Sequence, residues 1–86
     1  MTAYLAWTAE PPEDLEGPWE EARVVGPGLL LIDSPEALSP VYHALKWSLP
    51  EDAALVVVPL HERPKLRGLA PGTTTWLRER TLPPGD

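Results

Sequence analysis

Apolar and polar positions along the chain fall into short blocks whose periods change from two to nearly four and back. Residues 3–8 alternate as an extended segment, with Ala3, Leu5 and Trp7 on one face and Tyr4, Ala6 and Thr8 on the other. Pro11-Pro12 ends that segment. Residues 13–22, EDLEGPWEEA, carry Gly17-Pro18 at their centre, where proline removes a helix hydrogen bond and clashes with the preceding turn. The pattern there predicts an irregular connection with at most one helical turn, anchored by Leu15 and Trp19. Residues 23–33 predict a second extended region made of Val24-Val25 and the run Leu29, Leu30, Leu31, Ile32. Between these pieces, Gly26-Pro27-Gly28 is either a tight hairpin turn or a bulge in one long strand. The unbroken LLLI run predicts a strand covered on both faces or central in its sheet.

Two Ser-Pro pairs, Ser34-Pro35 and Ser39-Pro40, then signal helix entry, since serine caps and proline suits a first turn. The regular helix is expected over residues 40–49, after a first turn near 35–38. Leu38, Val41, Leu45 and Leu49 draw its buried stripe, and Pro50 stops it. Residues 53–60, AALVVVPL, form the clearest strand pattern, long and apolar enough for a central position, with Pro59 marking a lapse in the ladder. Residues 61–72 read as a polar connection with room for a short edge strand near 66–69. Residues 73–80 read as a short threonine-capped helix with Trp76 and Leu77 inward, and Arg78 and Arg80 near the end its dipole makes favourable to cations. One domain over residues 1–82 and a loose tail at 83–86 follow. Strands interleaved with a helix make this an α+β chain. The expected solution is a ferredoxin-like sandwich with a degraded first helix, its helices on one face of a mostly antiparallel sheet.

Composition narrows the chemistry. At 86 residues the chain buries only about 60% of its unfolded surface, so help from disulfides, metals or association matters. With no cysteine and two histidines, His43 and His61, disulfides and thiolate metal sites are excluded, and self-association is the remaining help. No metal site or cofactor is expected. Twelve prolines stiffen the connections, arginine exceeds lysine five to two, and asparagine and glutamine are absent, as in thermophile-like compositions. The longest apolar run is far below the roughly 20 residues that span a bilayer. The first residues lack the basic and apolar stretches of a secretory signal. A cytoplasmic location without membrane partnership is expected.

The net charge of −6 is unevenly spread. Residues 1–60 hold ten acids against Arg23 and Lys46, whereas residues 61–86 hold five bases against Glu62, Glu79 and Asp86. A polyanion meets repulsion from most of the chain, which disfavours general nucleic-acid binding. Arg63, Lys65 and Arg67 nevertheless alternate, and in an extended segment they line one side. That stripe either meets phosphate, pairs with acids of this or a partner subunit, or guards a sheet edge. Trp47 lies off the helix's apolar stripe, which marks it for an interface. The six acids of residues 10–21 sit among glycine and proline and read as a solvated face rather than a catalytic pair. His61 and Glu62 follow a strand end, where adjacent residues point apart. Gly26-Pro27-Gly28 has no lysine and no helix behind it, so it is not a phosphate loop.

The stretch of residues 28–60, with Asp33-Ser34, Glu51-Asp52, and the later Gly68-Leu69 and Trp76-Leu77, is arranged like a known group. It resembles small bacterial ferredoxin-like proteins in the superfamily of the CRISPR-associated spacer-acquisition nuclease and VapD-like proteins. The resemblance implies the fold and a tendency to dimerise through sheet edges. Nuclease members carry a metal-binding aspartate at the end of the first strand, where this chain has Trp7-Thr8. The expected role is a small self-associating interaction or regulatory module without catalytic activity, its partner a second copy or another protein, with Trp47, Arg63, Lys65 and Arg67 as partner-binding candidates. The alternative is a nucleic-acid-associated, nuclease-superfamily-like protein using the basic edge at residues 63–67.

Overall fold

The computed structural model of the chain describes residues 1–12 and 14–83. Four strands and two helices follow in the order β1 (Thr2–Thr8), β2 (Glu21–Gly26), β3 (Leu29–Ser34), α1 (Leu38–Trp47), β4 (Leu55–Leu60) and α2 (Thr73–Arg78). The strands form one sheet in the order β2-β3-β1-β4, and every neighbouring pair is antiparallel. It follows that β1 and β2 run parallel with β3 between them, and that β3 and β4 run parallel with β1 between them. Two crossover connections therefore interleave, the first through the irregular residues 9–20 and the second through α1.

Of its two alternatives, Gly26-Pro27-Gly28 is the hairpin turn and not a bulge within one long strand, since β2 and β3 are separate antiparallel strands. It closes the β2–β3 hairpin, and the register also slips by one residue between Val24 and Gly26. Gly28 takes φ +71°, a conformation open to glycine, and a side chain there would collide with the Thr8 carbonyl oxygen. Its own carbonyl accepts a hydrogen bond from the Thr8 N–H at 3.0 Å, which stitches the hairpin turn to the end of β1.

Both faces of the sheet are covered, so strand alternation builds two apolar clusters. Tyr4, Ala6, Leu30 and Ile32 meet Val41 and Leu45 of α1, with Leu15 and Trp19 packed at the margin. Ala3, Val25 and Leu31 meet Trp76 and Leu77 of α2, with Leu66 and Leu69 alongside. The degraded helical segment thus does the packing of a helix without being one: the Trp19 indole N–H donates to the Leu15 carbonyl at 2.7 Å and fixes the ring over the core.

Several expectations are corrected. The two helices lie on opposite faces rather than one, because Trp76 and Leu77 pack on the Ala3 side of β1 while Val41 and Leu45 pack on the Tyr4 side. β4 is an edge strand, not a central one, as it pairs with β1 alone. Proline explains the position: Pro59 has no N–H to give a ladder, and an edge needs ladder bonds on one side only. α1 starts two residues early, at Leu38, and Pro40 is tolerated because the first-turn N–H groups have no helical acceptor. Leu38 consequently falls outside the buried stripe and is exposed. Residues 66–69 form no strand; Leu66 and Leu69 turn inward instead. α2 has Gly72 at its N-cap, and the Thr73 hydroxyl donates back to the Ala70 carbonyl at 2.6 Å instead of capping the helix. Of the expected tail, residues 84–86 lie outside the described residues, as does Glu13 of the acidic run.

Candidate functional site

The four candidate residues do not converge. Trp47 stands on the outer crest of α1, 80% exposed, with the His43 ring 5.9 Å away and Tyr42 against His43 at 5.3 Å. Arg63, Lys65 and Arg67 belong to the connection after β4, whose leucines pack on the opposite face of the sheet. Nor does the basic stripe hold together. Arg63 is half-buried and its Nε is enclosed without a hydrogen-bond partner, while Lys65 and Arg67 point outward on the rim of one cavity that Arg63 does not line. Among the described residues neither Lys65 nor Arg67 forms an ion pair, so the alternative in which the stripe pairs with acids of this same chain is not seen there. Leu15 and Trp19 anchor that acidic segment over the α1 face, away from the cations.

A surface that the residue pattern alone did not single out lies along β4. Its six residues, LVVVPL, carry no charge, and nothing among the described residues pairs with its outer edge. On the face towards α2, Val56 and Val58 are 55% and 39% exposed, and the Trp7 ring, opposite Val56 in register, is 41% exposed. On the face towards α1, Val57 shares an open depression of about 450 Å³ with Leu38 and Tyr42. The edge is therefore flanked by accessible apolar side chains above and below. The opposite edge differs: β2 carries Glu21 and Arg23, 3.9 Å apart, and its Val25 carbonyl accepts the Ala70 N–H at 2.8 Å. One edge is charged and covered, the other neutral and open. The signal for this was Pro59, which confines an otherwise core-like run to an edge.

The strongest polar cluster centres on Arg80. Its Nε donates to Asp33 at 2.9 Å, and its terminal nitrogens reach Glu21 and Glu79 at 3.4 Å and the Trp76 carbonyl at 3.0 Å. The guanidinium carbon lies 4.1 Å from the centre of the Trp76 ring. This arrangement ties α2 to β2 and β3 by charge, hydrogen bond and cation–π contact together. Four of the five guanidinium donors have an acceptor within the chain, which fits a staple rather than a reactive group. The spacing of 47 residues between Arg80 and Asp33 gave no sequence signal for it.

Among the described residues, no group of three or more histidine, aspartate or glutamate side chains is placed to hold a metal ion. His61 and Glu62, at the end of β4, are both exposed, and the pair is tied by backbone to Leu82. No helix among the described residues is long and apolar enough to cross a membrane. The chain is a small α+β protein with a four-stranded antiparallel sheet and two helices, and no protein-family model, curated protein or solved structure matches it.

Proposed function

We propose that this chain is a self-associating interaction module, without catalytic activity, whose partner surface is β4. The observation that carries the reading is the uncharged outer edge of β4 with apolar side chains exposed on both of its faces. Exposed edges are normally blunted by charge or cover because unpaired backbone groups template pairing with another chain. This chain places charge and cover on β2, whereas β4 has only the missing N–H of Pro59 to blunt its edge among the described residues. A second copy is the occupant favoured by charge. An antiparallel, two-fold pairing centred on β4 sets Leu55 of one copy beside Leu60 of the other, and brings Asp52, in the turn before β4, to the same end of the pair as Arg63 of the other copy, which follows β4. A parallel pairing sets like charges together. The exposed Asp52 and the unpaired half-buried Arg63 support the antiparallel choice. With the two crossovers interleaved as in a split βαβ unit, the chain order also supports a ferredoxin-like ancestry.

The test is solution mass. Light scattering on the intact chain is expected to give twice the protomer mass at micromolar concentration. Val56→Lys, which places a charge on the open edge, is expected to give the protomer mass with an unchanged far-ultraviolet spectrum. A wild-type chain that stays monomeric at high micromolar concentration would remove the proposal. The competing nucleic-acid role rests on the exposed Lys65 and Arg67. Tight, salt-sensitive retardation of DNA or RNA, lost on Arg63→Ala/Lys65→Ala/Arg67→Ala, would replace the proposal with that role.

A further inference from the structure

The connection between β4 and α2 forms a strap over the sheet face that α2 covers only in part. It is tied at one end by the Arg63 N–H to the Leu82 carbonyl, 2.9 Å, and at the other by the Ala70 N–H to the Val25 carbonyl, 2.8 Å. Between these ties, residues 64–69 make no hydrogen bond with the rest of the described chain. Pro64 lacks the donor altogether, and Gly68 sits at φ +79° with open space around it. The strap is anchored at its ends and held in the middle by the inward packing of Leu66 and Leu69.

Beneath the strap is a cavity of about 260 Å³. Leu5 of β1, Leu29 and Leu31 of β3, Leu66 and Leu69 of the strap and Leu77 of α2 wall it. Lys65 and Arg67 are the polar side chains at its rim, and no carboxylate lines it. In a chain of charge −6, two cations without an ion-pair partner among the described residues sit beside an apolar cavity. The acidic segment that would neutralise them is on the other side of the sheet.

We infer that this cavity is a binding site for a short aliphatic carboxylate, its chain among the leucines and its head group between Lys65 and Arg67. Charge complementarity selects the head. Neither cation has a competing ion-pair partner among the described residues, and arginine presents a fork that matches a carboxylate. The leucine walls select an apolar body, since no polar atom of a side chain inside the cavity would reward anything else. Volume selects the length. A water's share of liquid is roughly 30 Å³, so a cavity of this size takes about eight to ten non-hydrogen atoms. That range runs from a six-carbon to an eight-carbon carboxylate and lies below the usual span for larger ligands. The unbonded middle of the strap supplies the entrance. This site is separate from the β4 edge and does not depend on it.

The test is a titration of the intact chain with octanoate, read on the methyl resonances of Leu5, Leu66 and Leu69. A saturable shift confined to these methyls is expected. Octan-1-ol, with the same chain and no charge, is expected to bind at least about tenfold more weakly, the scale of one or two charge-assisted contacts. Lys65→Ala/Arg67→Ala is expected to weaken octanoate by the same factor and leave octanol unchanged. Both side chains are exposed and unpaired, so the double variant keeps the fold. The inference is overturned by an absence of saturable shifts at millimolar octanoate, or by octanoate and octanol binding alike with no effect of the double variant. Recruitment to anionic phospholipid vesicles without a response to free octanoate also overturns it, by assigning the two cations to a lipid surface.

Discussion

Arg80 holds more of the molecule together than any other polar residue described, and its environment explains why arginine is needed. It reaches Asp33 on β3 and Glu21 on β2 from a helix C-terminus while lying flat on Trp76. Lysine offers a point charge and no plane, so it cannot fork to the carboxylates and stack on the ring at once. Arg80→Met keeps the apolar contact with Trp76 but leaves Asp33 nearly buried without its cation. Removing one partner of a buried pair costs several kcal/mol, and residual exposure of this one lowers the expected loss to about 2 kcal/mol. Urea unfolding checks it: wild-type stability in Arg80→Met would mean that the ring contact alone does the stapling. The residue pattern placed Arg80 at the end of a helix over residues 73–80, whereas the helix ends at Arg78 with Glu79 as its C-cap and Arg80 follows it. Its partners were illegible, because a pair separated by 47 positions leaves no local pattern.

At the scale of elements, patterning was most legible where one stripe must be buried. The stripe of α1 was read as Leu38, Val41, Leu45 and Leu49, and Val41 and Leu45 are indeed enclosed. Leu38, the first residue of the helix, is exposed, and Leu49 lies past the helix end at Trp47 and is half-buried. The difference between stripe and crest is measurable. Leu45→Ala is expected to cost about 2–5 kcal/mol, a large part of what a chain this small has to lose. Trp47→Ala, on the exposed crest, is expected to change stability by no more than about 0.5 kcal/mol. Thermal unfolding of the two variants separates them; equal losses would show that Trp47 is packed in solution. β4 gave the opposite lesson. Its apolar composition reads as a central strand, yet its ladder partner is β1 alone. Period-two patterning reports how many faces are apolar and is silent on how many edges are bonded; only Pro59 carried information about the edge.

For the whole molecule, the consequence of that edge is where charge sits relative to it. If two copies pair through β4 in the antiparallel sense, Asp52→Lys faces Arg63 of the other copy and weakens the dimer. A loss of roughly three- to tenfold in affinity is expected, shrinking as salt screens it. Asp52→Lys/Arg63→Glu restores opposite charges within the same two-fold and is expected to recover most of the affinity. Sedimentation equilibrium at low and high salt measures both. An unaltered affinity in Asp52→Lys points to another orientation of the two copies. Residue order was enough for the α+β class, the extended segments of β1 to β4, the main helix, the break at Gly17-Pro18 and the lack of thiols. Each of these follows from local period, from proline and glycine geometry, or from residue counts. Tertiary structure alone decided the sheet order, the placing of α2 opposite α1, the separation of Trp47 from the basic residues, and the cavity that gathers Lys65 and Arg67 beside six leucines. Those depend on which long-range pairings bury most apolar surface while satisfying the backbone, and no window of neighbouring residues contains that comparison.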